Sequence, residues 1–402
     1  MMVRWQLVSL LALGLIIVVL SSCAHQTTQL PPGYGNGSFT TPPPLGIGIV
    51  AVGVGIVGSP DGGAFLSRVH TPAGSVELND VAFDSSGTGT GWAVGTGTIL
   101  RTRDDAATWE VMQLPYDFGA VATAQDDSGS VWVGGSYGNS PVIRMTHDDG
   151  GSWVPCRLPH TAASWVNDLA FADYRHGWAV LGASPAVILK TRDGGRTWTK
   201  TIPTVAGQLN GIACTDSRHA WAVGTSQSGG HPLVLATTDG GARWRVQYAA
   251  RPLGGELDAV TFADSRHGWA VGHDGLILAT TDGGTHWAIQ PTGLQGGVLH
   301  HVAFFDDLHG WAATGGYPML WTADGGRHWW VMKLPGGGYD AVAVAPRGLK
   351  DPPSRAGTGT PCEFVPKEFS SSISGVAAPV RGGLHDGRPD PSAAPSGSRP
   401  MC

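Results

Sequence analysis

Between residues 45 and 346 short apolar runs alternate with glycine-rich polar breaks, always in the same order. One unit shows the grammar. Leu257-Asp-Ala-Val-Thr-Phe262 alternates and is rich in β-formers, which predicts a strand, A. Ala263–Gly268 reads as a turn, and Trp269-Ala-Val-Gly272 as strand B. His273-Asp-Gly275 has the composition of a hairpin turn, so Leu276–Thr280 becomes strand C. A second polar break leads into strand D, His286-Trp-Ala-Ile-Gln290. No apolar run repeats at 3.6 spacing, which argues against a helical array.

The second break carries a phrase, Ser/Thr-x-Asp-x-Gly-x-x-Trp, whose clearest copy is Thr191-Arg-Asp193-Gly-Gly195-Arg-Thr-Trp198. Seven copies open at Ser59, Thr102, Thr146, Thr191, Thr237, Thr280 and Thr322, at intervals of 43, 44, 45, 46, 43 and 42 residues. Four short strands repeated at that period predict an all-β fold, a β-propeller of four-stranded antiparallel blades. The first unit lacks a strand A, and the last strand A, Tyr339–Ala345, lacks B, C and D. The two fragments complete one blade. The expectation is therefore a seven-bladed β-propeller, its ring closed by the C-terminal strand A in the N-terminal blade, which removes an aggregation-prone edge.

The phrase reads as scaffold. The aspartates Asp61, Asp104, Asp148, Asp193, Asp239, Asp282 and Asp324 are placed to accept backbone N–H bonds and hold tight turns. The tryptophans Trp109, Trp153, Trp198, Trp244, Trp287 and Trp329 supply apolar plates between strands. Six further tryptophans open strand B, so twelve of the sixteen serve packing. The aspartates lack the dense ligand set of a calcium loop, and no metal or cofactor is expected of them. His176, His219, His267 and His309 recur at one blade position and read as turn residues.

The flanks have a different character. Arg4, an apolar stretch Leu7–Leu20 and Leu20-Ser-Ser-Cys23 predict a lipoprotein signal peptide over 1–22, with lipidation at Cys23. Residues 23–44 read as a flexible tether and 347–402 as a disordered Pro/Gly/Ser-rich tail. These segments predict an exported chain, lipid-anchored to a bacterial cell membrane or outer membrane. Formal charge is −6 with no basic stripe, which excludes a dedicated nucleic-acid binder. The five cysteines form no CxxC pair; Cys156 and Cys214 read as small apolar residues, and Cys362 and Cys402 are placed to pair in the tail.

The phrase resembles the Asp-box, or bacterial neuraminidase repeat, of sialidases, sortilin-type receptors and several glycosidases. The fuller unit, Asp-x-x-His-Gly-Trp-Ala-Val-Gly followed by Ile-Leu-x-Thr-x-Asp-Gly-Gly-x-x-Trp, is similar to the photosystem II stability/assembly factor family of cyanobacteria and plastids. The resemblance covers about 45–346. It implies a seven-bladed propeller, often lipid-anchored, that binds early photosystem intermediates without catalysis. Two copies depart from the pattern: Leu66 replaces Trp and Ala106 replaces Gly.

Two functions compete at this level. A sialidase-like or other glycoside hydrolase would resemble its family in an early Arg-Ile-Pro motif, yet Leu45–Gly58 contains no Arg. Glu77, Glu110 and Glu256 are the propeller's only glutamates, and nothing marks Asp258 and Asp274 as a catalytic pair. The expectation is a non-enzymatic scaffold. Its protein or peptide partner would sit on the face formed by the B–C and D–A loops. Candidate contacts there are Tyr116, Tyr137, Trp165, His231, Arg251, Glu256, His273 and Tyr317, with Asn139, His160 and His300 beside them.

Overall fold

The computed structural model describes residues 48–345, apart from 54, 60–66, 70–76, 86–87, 127, 229, 250–254, 295, 316–318 and 333–338. The signal peptide, Cys23, the tether, Asp61, Leu66, Arg251, Tyr317, the tail and its cysteines lie outside these residues.

The chain is an all-β propeller. Four consecutive units form four-stranded antiparallel sheets that begin at Val166–Phe171, Ala206–Cys214, Leu257–Phe262 and His301–Phe304. A fifth four-stranded sheet joins the first and last described strands: Ala341–Ala345 pairs antiparallel with Gly48–Val52, in the register Gly48↔Ala345 to Val52↔Ala341. The remaining sheet has six strands, spanning Leu78–Phe83 to Val154–Pro155. The structure thus has six hydrogen-bonded sheets, not the seven separate blades expected from the repeat. The cause is local. Gly91–Thr102 and Glu110–Thr123 are continuous strands, because the connection near Thr96 pairs with Asp117 and Thr98 pairs with Gln113. Elsewhere a loop interrupts the ladder at this point; here the ladder runs on.

Three units pack against the next through aromatic rings. Trp132 lies on Phe171, Trp221 on Phe262 and Trp269 on Phe304, with ring centroids 3.5, 3.7 and 3.4 Å apart. The phrase tryptophans Trp198, Trp287 and Trp329 then meet those phenylalanines edge-on at 5.9–6.0 Å. Burying one such ring contributes about 1.5–3 kcal/mol, and each favourable ring pair about 0.5–1.5 kcal/mol more. The indole N–H groups of these stacked rings also find partners. Trp132 Nε1 donates to Gly194 O at 2.9 Å and Trp269 Nε1 to Gly325 O at 3.0 Å. Strand B of one unit thereby holds a later unit's turn.

The glycine before the strand B tryptophan has a steric reason. Gly177 stands directly across from Phe171, and a Cβ there would lie 2.5 Å from the ring. Gly91, Gly268 and Gly310 face Phe83, Phe262 and Phe304 in the same way. Where the inner strand ends in Cys214, the partner is Ala220.

The phrase turns are tied by their own side chains. Asp193 Oδ1 accepts from the Thr191 hydroxyl and the Thr197 amide, both at 2.9 Å, and Thr191 Oγ1 accepts from the Gly195 amide at 2.8 Å. Gly195 sits at φ 87°, a conformation that a Cβ disfavours. Asp104, Asp148, Asp239, Asp282 and Asp324 make corresponding bonds. At Asp148, bonds from the Ser152 and Thr146 hydroxyls and the Ser152 amide hold the carboxyl down at about 2. At Asp282, the His286 amide and ring lead the same effect, again to about 2.

Candidate functional site at the channel mouth

The first strand of each unit lines a central cavity. One position near the start of its inner segment is special. In five units it is the extra residue of a β-bulge: Asn79, Gly119, Asn167, Asn210 and Asp258 are each skipped in the pairing with strand B. A bulge re-aims its side chain out of the regular alternation. The three asparagines use this to reach the neighbouring unit. Asn79 Nδ2 donates to Phe118 O at 2.7 Å, Asn167 Nδ2 to Leu209 O at 2.7 Å, and Asn210 Nδ2 to Leu257 O at 3.0 Å.

The residue after the bulge adds a second stitch where it is aspartate. Asp80 accepts from its neighbour's amide at Val81 and, across the unit boundary, from the Val121 amide, both at 2.8 Å. Asp168 does the same with Leu169 and Ile212. Burial dominates both groups. It pushes Asp80 up to about 8, with the Asp168 charge adding to it and the two amides opposing it. Burial likewise raises Asp168 to about 7 against the pull of its amides.

The cavity mouth holds about 200 Å³ and is lined by Asn79, Asn167 and Asn210, by Asp80, Asp168, Asp258 and Asp340, and by His300 and His301. It continues into a space of about 310 Å³ lined by the next residues of the same strands. His301 Nε2 lies 3.7 Å from Asp80 Oδ1, and burial lowers the imidazole to about 4. Asp340 is raised to about 6, first by burial and then by Glu77, against the pull of His300.

Glu256, Asp258 and His273 meet at one side of the mouth. His273 Nε2 is 3.1 Å from Glu256 Oε1 and 3.7 Å from Asp258 Oδ2, and His300 Nδ1 is 3.4 Å from the same Asp258 oxygen. Burial, then the Asp258 charge, raises Glu256. At His300, burial opposes the charged form, but the Asp258 bond and the surrounding carboxylates outweigh it and raise the group.

The other expected contact residues divide between places. Tyr116 and Tyr137 meet with ring centroids 5.4 Å apart. Arg144 lies over Tyr116 at 4.4 Å and bonds its hydroxyl. Tyr137 is 60% exposed, so this cluster offers an aromatic edge to solvent. Trp165 packs against Gly119, where a Cβ would fall 2.7 Å from its Nε1. His231 closes a turn with Ser226, accepting its amide at 2.8 Å, and stands apart from these groups. Trp109, Trp198 and Trp329 are buried, whereas Trp153, Trp244 and Trp287 are half-buried. Cys214 is buried and Cys156 partly so, and both are free thiols; burial pushes Cys156 up to about 12.

Asp80, Asp168, His301 and Asp340 are mouth residues that the unit-by-unit reading misses. For Asp80 and Asp168 the available signal is a polar residue third in an otherwise alternating strand; His301 opens its strand and Asp340 precedes one, so their role is seen only when the units are laid over one another.

Known proteins resemble this chain in part. Residues 151–246, 201–288 and 250–348 match the family described as Photosynthesis system II assembly factor YCF48. The photosystem II assembly protein Ycf48 of Thermosynechococcus vestitus is 38% identical over 68 residues, which span 17% of this chain and 18% of that relative. Among solved structures, YCF48 bound to D1 peptide superposes with a TM-score of 0.51 at 21% identity, over 69% of this chain and 92% of that one. The GH74 xyloglucanase of Xanthomonas campestris gives 0.57 at 14% identity, over 75% of this chain and 55% of the enzyme. At these identities the two structural likenesses establish the propeller fold alone.

Proposed function

We propose that the chain is a non-enzymatic, protein-binding propeller of the photosystem II assembly factor type, tethered to a bacterial envelope through a lipid on Cys23. The match of residues 151–348 to the YCF48 family carries the reading. The likeness to a propeller solved with a D1 peptide supports a peptide-like partner. The Tyr116–Tyr137–Arg144 cluster suits such a partner, because tyrosine and arginine side chains are enriched among those that carry binding energy once a partner covers them.

The same proposal includes seven blades. Seven inner-strand segments contribute to the cavity lining, from Asn79 to Asp340, and the phrase has seven copies. In this reading the six-stranded sheet is two blades joined through the paired connection at Thr96–Asp117, and Ala341–Ala345 closes the ring on Gly48–Val52. The phrase turns are then Asp-boxes.

The binding reading is tested by fluorescence polarisation with a labelled D1-derived peptide and by recovery of the chain's partners from host membranes. Tyr137→Ala and Arg144→Ala should each weaken binding by roughly tenfold, the scale of a contact worth more than 1 kcal/mol. Turnover of xyloglucan or fluorogenic glycosides, with no peptide or protein retained, would replace this reading with a hydrolase. Radiolabelled palmitate incorporation that survives Cys23→Ala would remove Cys23 as the attachment point, and no incorporation into the parent would remove the lipid anchor altogether.

A further inference from the structure

The inner-strand bulge has a rule, and one unit breaks it. In three units the bulged residue is asparagine, and its amide donates to a backbone carbonyl of the next unit. Asp258 occupies the same bulge. An ionised carboxylate has no proton to donate, so that stitch is unavailable to it. Its Oδ2 faces His273 and His300 instead. The exchange of a stitching amide for a carboxylate forfeits an inter-unit hydrogen bond and gathers charge at the mouth.

Around Asp258 the backbone fixes two more donors. Leu257 pairs with Gly272 in the ladder, so Glu256 and His273 lie opposite each other just beyond it. The His273 amide also bonds Glu256 O at 3.0 Å, which locks that end of the hairpin. The donor atoms of Glu256, Asp258 and His273 all fall within 4.8 Å of one another. The two imidazole-to-carboxylate separations, 3.1 and 3.7 Å, bracket the spacing of about 3.3 Å between donors that each sit ~2.0–2.1 Å from a tetrahedral zinc.

We propose that Glu256 Oε1, Asp258 Oδ2 and His273 Nε2 form a binding site for a divalent transition-metal ion of the zinc class, open on its fourth side to the channel mouth. An imidazole between two carboxylates suits zinc and its neighbours, whereas calcium and magnesium take all-oxygen sets. His300, 3.4 Å from Asp258, backs that carboxylate from the next unit and orients it. The site belongs to a single unit. The corresponding residues elsewhere, such as Gln208, Asn210 and Thr225, contain no such trio. Positions that depart from a repeat's own rule are where its individual chemistry resides.

The test uses the full chain after treatment with chelator and desalting. Zinc chloride is titrated calorimetrically, and cobalt is titrated with the visible spectrum as readout. One equivalent of zinc should bind, and cobalt should give the intense absorption of a tetrahedral site. Asp258→Asn is the discriminating variant, because it restores the amide of the other bulges. It should melt no lower than the parent without metal, yet lose zinc affinity by roughly 10–100-fold or more. His273→Ala should lose it similarly, whereas His286→Ala, at an exposed phrase turn, should not. Zinc binding that is undiminished in both Asp258→Asn and His273→Ala, or no binding below millimolar zinc, overturns the site and leaves the trio as an ion-paired cluster.

Discussion

Asp168 holds the backbone of the next inner strand, its Oδ2 2.8 Å from the Ile212 amide nitrogen. The bond crosses a unit boundary, so the protonation of one carboxyl affects how two units join. Its pKa is raised to about 7 in the fold, above the ordinary value of 3.8. The folded state therefore holds a proton that the unfolded chain has released, and stability falls as pH rises through that range. Asp80, raised to about 8, acts in the same direction. His301, lowered to about 4, acts oppositely but only below its ordinary value of 6.5. The clean window is thus pH 6.5 to 8.5. Melting temperature should drop across it, and Asp168→Asn should make the drop smaller by roughly a few degrees. His300, raised by the Asp258 bond and the surrounding carboxylates, is present in both proteins, so it cancels in the comparison. An equal drop in both would show that Asp168 is ionised throughout.

Trp132 joins three groups at once: the face of Phe171, the Gly194 carbonyl and the core of its own sheet. Truncation to alanine should cost about 3–5 kcal/mol, since the ring is fully buried and the site cannot collapse around rigid strands. Tyr174, 48% exposed, is the control and should lose less than about 0.5 kcal/mol. Urea denaturation of both variants measures the contrast. Similar small losses would mean that the ring stack carries little of the stability.

The Phe171–Gly177 pair predicts a coupling. Gly177→Ala alone should destabilise by about 1–3 kcal/mol, because the new Cβ would lie 2.5 Å from the ring. Phe171→Cys alone should leave a cavity and also destabilise. Combined, they reproduce the Cys214–Ala220 pairing of the next unit. The double variant should be less destabilised than the sum of the single ones, with a coupling of about 0.5–3 kcal/mol in a double-mutant cycle. Strict additivity would deny that the two positions share space.

A phrase turn should tolerate damage better. Asp193→Ala removes two bonds to Thr197 and one to Thr191, at a partly solvated site, and should cost about 1 kcal/mol. Thermal melts of this variant beside Trp198→Ala should rank the tryptophan well above the aspartate.

Removing the last strand should matter more than its size suggests. A chain ending at Pro335 lacks Ala341–Ala345 and strips Gly48–Val52 of one ladder. It should lose cooperative unfolding, followed by tryptophan fluorescence, and gain a tendency to aggregate through the freed edge. A melt indistinguishable from that of the full chain would mean that the pairing is dispensable.

The strand grammar is readable in the sequence because each unit restates it: Trp269-Ala-Val-Gly and Leu276–Thr280 carry their own turn signals. The continuous ladder between the second and third units is not readable. Gly97 and Pro115 look like breaks, yet the residues around them remain extended and pair with each other. The channel mouth escapes for another reason. Its residues come one or two from each unit, some forty residues apart, and Asp80 or Asp168 looks like an ordinary polar position in an alternating strand. Only their convergence gives them a chemical role. Glu256 and His273 stand out as loop residues, but their meeting depends on the Leu257↔Gly272 register, which hydrophobicity does not encode.

The glycine that yields space to a phenylalanine also constrains how such a protein evolves. A unit with Phe opposite Gly cannot reach the Cys–Ala arrangement one substitution at a time without passing through a clash or a hole. Units duplicated from a common ancestor are therefore held on separate tracks, exchanging freely at their loops while their inter-unit rings stay locked in pairs. Divergence is channelled to the positions that no ring stack guards, and these include the bulge that Asp258 occupies.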